Sequence, residues 1–232
     1  QGNIILNSNG CPPDAVVDLA FRVLHWLAPA VSSGLLADIS CGEGAFLAGA
    51  ATRGLLAQSN ARPGEILAVS FSAQMNSCLP YSRDGRALRP AMIWADQRAD
   101  AEAGRIAGEV GLRRVYERTG QRLSAALGVA KMAWFAAHEP ELYRKTACFL
   151  QPKDTLVFQL TGRMCSDYSD ASHLGCFDLE SRGWSDEILE SAGVSPNKMP
   201  ELLPSFAVAG RVAREAATAC GLLEGTPVVM GG

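Results

Sequence analysis

Two stretches of the sequence hold side chains whose types and spacing could do chemistry. The first is Gln74-Met75-Asn76, followed a short way on by Trp94, Asp96 and Arg98. A carboxamide can hydrogen-bond a neutral hydroxyl through either of its ends, and an indole offers a flat apolar face with a single N–H. Asp96 and Arg98 either orient a ligand hydroxyl or pair with each other and brace their loop. Trp94 is either a plate for a ligand or a core tryptophan. The second stretch is Asp38-Ile-Ser-Cys-Gly-Glu-Gly44, where glycines after an apolar run let the backbone approach a bound cofactor. Metal chemistry has less to work with. The seven cysteines (Cys11, Cys41, Cys78, Cys148, Cys165, Cys176, Cys220) are scattered without a C-x-x-C, and there are only three histidines.

The elements that must position these residues alternate. Apolar spacing behind Pro12-Pro13-Asp14 predicts an amphipathic helix over 14–28, and a strand at 35–39 leads through the glycine turn into a helical run at 46–58. A turn at 60–64 precedes a buried strand at 65–72, and a polar turn at Ser82-Arg-Asp-Gly85 separates it from a second strand at 91–94. Surface helix is expected over 97–118, helix over 127–138, strand over 147–150, and a helix opening at Pro152 with proline in its first turn. Residues 166–178 read as looser chain, followed by helix at 185–192, a Pro-bearing loop at 196–204, and then helix, turn and strand. This alternation argues for an α/β layered architecture.

Composition bounds the function classes. In 232 residues, 48% are apolar and 19% charged, which is the balance of a folded globular chain. Twenty-one basic against twenty-four acidic residues give a net charge of -3, without the cationic surplus of a nucleic-acid binder. Apolar runs are interrupted well before spanning length, and no signal-like segment opens the chain, so a cytoplasmic protein with neither membrane nor nucleic-acid partners is expected. The chain opens on Gln1 and closes on an apolar strand delivering Gly231-Gly232, so it reads as cut from something longer.

From about residue 52 onward the motifs come in a recognisable order. They are Ala68-Val-Ser-Phe-Ser-Ala-Gln-Met75, Asp84-Gly85, Leu88-Arg-Pro-Ala-Met-Ile-Trp-Ala-Asp-Gln-Arg98, Lys131-Met-Ala-Trp134, His138-Glu-Pro140, Phe149-Leu-Gln-Pro-Lys-Asp154, Thr161-Gly162, Asp167-Tyr-Ser-Asp-Ala-Ser172 and Gly225-Thr-Pro-Val228 with Gly231-Gly232. This set resembles the N-terminal domain of the FGGY carbohydrate kinases, most closely the xylulokinase-like branch. The resemblance implies an incomplete ribonuclease H-like fold of the actin and hexokinase superfamily over 52–232, with residues 1–51 a divergent or foreign segment. It also implies a sugar as small-molecule substrate, a ketopentose such as xylulose, and ATP and Mg²⁺ as cofactors of the complete enzyme. The sugar contacts it implies are Gln74, Met75, Asn76, Trp94, Asp96 and Arg98, and Asn76 stands where xylulokinases often carry His. A homodimer is a further expectation.

By the same resemblance the catalytic base is an Asp just after the glycine pair, beyond Gly232, and the ATP-binding domain lies further on. The chain alone is therefore expected not to be a working kinase. The nearest counterpart of the family's opening phosphate turn, Asp38-Ile-Ser-Cys41, lies only 32 residues before Ser70, about half the expected separation. Trp134 and Trp184 are expected to pack rather than touch ligand. Lys153 and Asp154 read as a helix start. The N-terminal Leu36-Ala-Asp-Ile-Ser-Cys-Gly-Glu-Gly-Ala-Phe-Leu47 is similar to the cofactor motif of S-adenosylmethionine-dependent N6-adenine DNA methyltransferases. That gives an alternative in which Asp38, Gly42 and Gly44 hold S-adenosylmethionine. A non-catalytic sugar-binding module is the other.

Overall fold

The structure is a computed structural model that describes residues 52–54, 56, 57 and 62–231. The helix expected at 14–28, the strand at 35–39 and the glycine turn at 38–44 lie outside the described residues, as do Cys11 and Cys41. In chain order the elements are β1 (Val69–Ser70), β2 (Leu79–Tyr81), α1 (Asp100–Val110), α2 (Leu112–Thr119), α3 (Gly128–His138), α4 (Pro140–Lys145), β3 (Cys148–Leu150) and α5 (Pro152–Thr161). There follow β4 (Cys165–Asp167), α6 (Tyr168–Ser172), β5 (Phe177–Asp178), β6 (Gly183–Trp184), α7 (Asp186–Ala192), β7 (Glu201–Leu203), β8 (Val208–Arg211), α8 (Arg214–Cys220) and β9 (Pro227–Val229). They fall into two compact units: the described residues up to Gln74 with Lys153–Cys165 and Leu203 onward, and Met75–Pro152 with Ser166–Leu202.

The first unit is built on a sheet of order β1-β9-β8. β1 runs parallel to β9, with Val69 opposite Val228 and Ser70 opposite Val229. β8 runs antiparallel to β9, with an irregularity between Val208 and Gly210. Val69, Phe71, Val157, Val212, Val228 and Met230 form its core. The strand expected at 65–72 shortens to two residues. Pro63–Glu65 takes a 3₁₀ turn in which the Arg62 N–H donates to Glu65 Oε2 at 2.9 Å, so extended chain begins only beyond it.

The second unit is mainly helical. α1, α3 and α7 pack on one another around Ile106, Phe135, Ile188 and Leu189. β2 and β3 pair antiparallel, with Leu79 opposite Leu150, and β5 pairs with β6. The helices expected at 127–138 and 185–192 are α3 and α7, the latter opened by Ser185, whose hydroxyl accepts the Ile188 N–H. The single helix expected over 97–118 is instead two. Gly111, at φ 90° and ψ 129°, ends α1 and starts α2. The looser chain at 166–178 contains β4, α6 and β5, because the Asp167 carboxylate accepts the N–H groups of Ser169 and Asp170 and starts a helix there. The strand expected at 91–94 is reduced to one bridge at Met92. Beyond it the Asp96 N–H bonds the Ile93 carbonyl at 3.0 Å and the chain turns.

Among the described residues no helix is long and apolar enough to cross a membrane, and the five described cysteines are buried.

Candidate functional site

Five of the six expected contact residues belong to the second unit, and Gln74 is the last residue of its segment in the first. Within the second unit the positioning device is the Cys78–Met92 bridge. The Cys78 N–H donates to the Met92 carbonyl at 2.9 Å, and the Met92 N–H returns the bond at 3.1 Å. Asn76 and Trp94 each stand two residues from this antiparallel pair, on the same side of it. The bridge thus brings the Met75-Asn76 turn and the 93–98 turn to the same end of the ladder.

Trp94 is 55% exposed, so it is not a core tryptophan. Met75 is also exposed. Asp96 and Arg98 pair with each other, with Nε to Oδ1 and Nη2 to Oδ2 both at 2.9 Å, and the Arg98 N–H also donates to Oδ1 at 3.1 Å. Partial burial pushes the Asp96 carboxyl up, but the Arg98 side-chain and backbone hydrogen bonds and the Arg98 charge together hold it below the usual carboxylate range. The other face of this brace is aromatic: the Arg98 guanidinium lies 5.1 Å from the Trp134 ring centroid. Trp134 stacks in turn on His138 at 5.0 Å, and His138 Nε2 is 2.9 Å from Glu102 Oε1. Trp134 and Trp184 pack against the core as expected, and the Trp184 indole N–H donates to the Pro200 carbonyl at 3.0 Å.

Asn76 has φ 59°, in the left-handed region, where Asn is tolerated better than most residues. Its N–H donates to Gln151 Oε1 at 2.9 Å. Sequence reasoning passed over Gln151, although a carboxamide wedged between Leu150 and Pro152 in an apolar run was a signal. It passed over Lys131 as a site neighbour too. That side chain is completely buried on α3, and its Nζ donates to the carbonyls of Ala125, at 3.0 Å, and Ala126. Burial pulls the Lys131 ammonium down to about 8, against the attraction of Cys78 and Asp96.

In the first unit, Lys153 and Asp154 do open α5 as expected, but both are completely buried rather than solvent-facing. Lys153 Nζ lies 3.5 Å from the Gly231 carbonyl. Asp38, Gly42 and Gly44 lie outside the described residues. Among the described residues no group of three His, Cys, Asp or Glu is placed to hold a metal ion.

An exposed indole, a half-buried carboxamide and a braced carboxylate–guanidinium pair can hold a small polyhydroxylated molecule by stacking and hydrogen bonds.

Residues 47–232 match the FGGY family of carbohydrate kinases, N-terminal domain. The chain is 34% identical over 178 residues to a xylulose kinase of Bacillus subtilis (strain 168), covering 77% of this chain and 36% of that protein. It is 33% identical over 187 residues to an autoinducer-2 kinase of Yersinia enterocolitica, covering 78% of this chain and 34% of that protein. Gluconokinases match over a similar stretch. The solved xylulose kinase of Rhodospirillum rubrum superposes with a TM-score of 0.73 at 29% identity, covering 80% of this chain and 38% of that one. The chain therefore spans about a third of the length of these relatives.

Proposed function

The chain belongs to the FGGY family of carbohydrate kinases, with their α/β fold of the actin and hexokinase superfamily, and from that premise we propose that it forms the sugar-binding part of a kinase that phosphorylates a ketopentose such as xylulose. ATP is the phosphate donor in this reading, and the catalytic base is an Asp beyond Gly232. Residues 52–232 act as the sugar domain, a boundary close to residue 47, where the family match begins.

The observation that carries the reading is the placing of Asn76 and Trp94 each two residues from the Cys78–Met92 bridge, with the indole left open. A ketose offers an apolar carbon face to such an indole and hydroxyls to the amide. Asn76 in place of a His keeps hydrogen-bonding capacity without a titratable group, so sugar binding through this residue carries no pH dependence near neutrality. Xylulose is preferred over the substrates of the other kinases because the motif set most closely resembles the xylulokinase-like branch, and relatives 34% and 33% identical are xylulose kinases. The kinases matched above give the methyltransferase alternative no support.

The test is a coupled phosphorylation assay of the full polypeptide with ATP, offering D-xylulose, D-ribulose and D-gluconate. D-xylulose is expected to be turned over fastest, and Trp94→Ala to weaken its use at least about tenfold. Preferred turnover of D-gluconate would overturn the ketopentose assignment, and no sugar-dependent ATP consumption would overturn the kinase reading as a whole.

A further inference from the structure

Asn76 and Arg182 are the only non-glycine residues with positive φ among the described residues, and Asn76 stands in the candidate sugar site. Such a backbone state costs free energy unless its surroundings hold it, and it recurs where a chain presents groups to a ligand. The side chain of Asn76 does not supply the hold, since its Oδ1 is buried with no hydrogen-bond partner. The main chain does, through the bond from the Asn76 N–H to Gln151 Oε1 at 2.9 Å.

Gln151 is only 1% exposed. Its other end, Nε2, donates to the Asp170 carbonyl at 2.9 Å. Asp170 lies in α6, whose start is fixed by the Asp167 carboxylate. A carboxamide can accept at one end and donate at the other across this gap without carrying charge, and a buried amide used at both ends is rigid. Gln151 itself sits at the junction of β3 and α5, one residue past Leu150, which pairs with Leu79.

We propose that Gln151 is a positioning residue of the sugar site: it locks Asn76 in the left-handed conformation by accepting its N–H, while the bond to the Asp170 carbonyl only anchors the far end of the carboxamide. The inference rests on the reading of this site as sugar-binding and deepens it. Gln151 acts through Asn76 and touches no sugar.

The distinguishing experiment is a double-mutant cycle read by calorimetric titration of D-xylulose into the full polypeptide, with folding checked by thermal unfolding. Asn76→Gly keeps the backbone conformation accessible and removes the carboxamide. Gln151→Leu removes the lock and leaves the carboxamide. Each is expected to weaken D-xylulose binding about tenfold, and the double variant to be no weaker than Asn76→Gly alone, because the lock has nothing left to position. Gln151→Glu keeps the acceptor for Asn76 and loses the donor to Asp170. It is expected to bind D-xylulose within about threefold of the parent while unfolding at lower temperature, and it serves if the Leu variant does not fold. Additive losses in the cycle, unchanged binding in Gln151→Leu, or a folded Gln151→Glu as weak as the Leu variant would each overturn the proposal while leaving the sugar site standing. A parent protein that binds no D-xylulose would overturn the sugar reading and the proposal with it.

Discussion

Each of the two units buries one lysine completely, and the two are used in opposite ways. Lys153, in the first unit, points its ammonium at the Gly231 carbonyl, at the end of the sheet strand β9. Lys131, in the second, caps two successive loop carbonyls, those of Ala125 and Ala126, just ahead of its own helix. At Gly231 itself the chain is packed closely, since a Cβ there would lie 2.6 Å from the Phe71 carbonyl oxygen. Around Lys131, as around Gln151, buried polar bonds hold irregular chain. Steric fit thus fixes the chain at Gly231 and hydrogen bonds fix it at Lys131 and Gln151, and the loops that carry Asn76 and Trp94 belong to the same unit as the latter two.

The largest expected effect tests steric fit against simple backbone strain. A methyl group on Gly231 would meet Ser70 Oγ and would lie 2.6 Å from the Phe71 carbonyl oxygen, at φ 76°. Gly111 in the second unit also has positive φ, at 90°, but a Cβ there would meet nothing within 4 Å. Gly231→Ala should therefore cost about 3–5 kcal/mol, from strain and overpacking together, and Gly111→Ala about 2 kcal/mol from strain alone. Urea unfolding of both variants measures this. Equal losses would break the contrast between the units.

A smaller effect concerns Lys131, whose ammonium is pulled down to about 8 in the folded chain against about 10.4 in the unfolded one. Between these values the unfolded state holds the proton and the folded state does not, so the lysine's contribution to stability rises with pH across that window. Lys131→Met, which leaves the two carbonyls without their donor, should cost about 2 kcal/mol at pH 7. The gap to the parent should then widen by no more than about 3 kcal/mol up to pH 10.5. A gap that stays flat from pH 8 to 10.5 would mean the ammonium is not desolvated in the way its burial implies.

This division also explains what could be read in the sequence. Helices 127–138 and 185–192, the strand at 147–150 and the helix opening at Pro152 were legible because apolar spacing and start signals agree there. The break at Gly111 was not, because charged surface residues continue on both sides of it. The 91–94 segment was read as a strand from its apolar residues, although Trp94 is largely exposed and Asp96 closes a turn on Ile93. At the site, the types and order of Asn76, Trp94, Asp96 and Arg98 were legible. The groups that hold irregular chain in this unit were not, since an isolated Gln151 or Lys131 leaves no periodic trace and lysine is rarely found buried.

The smallest effect lies on the exposed edge of the second unit and decides between the two roles left open for Arg98. Its pair with Asp96 is bidentate but partly exposed, with side chains 45% and 17% accessible, so Arg98→Ala should cost no more than about 1 kcal/mol at neutral pH. Because the Asp96 carboxyl is held below its usual range, that contribution is present above the unfolded-state value near 4 and is lost as pH falls through the folded-state value. Parent and variant should therefore converge in stability in strong acid. Arg98→Lys separates brace from contact. A lysine cannot reproduce the two-pronged bond to Asp96 or the stacking on Trp134, whereas it can still donate to a sugar hydroxyl. If Arg98 only braces, the Lys and Ala variants should lose D-xylulose affinity equally. Partial recovery by lysine would make Arg98 a sugar contact, and the polar bonds of this unit would then serve the ligand directly as well as the loops that surround it.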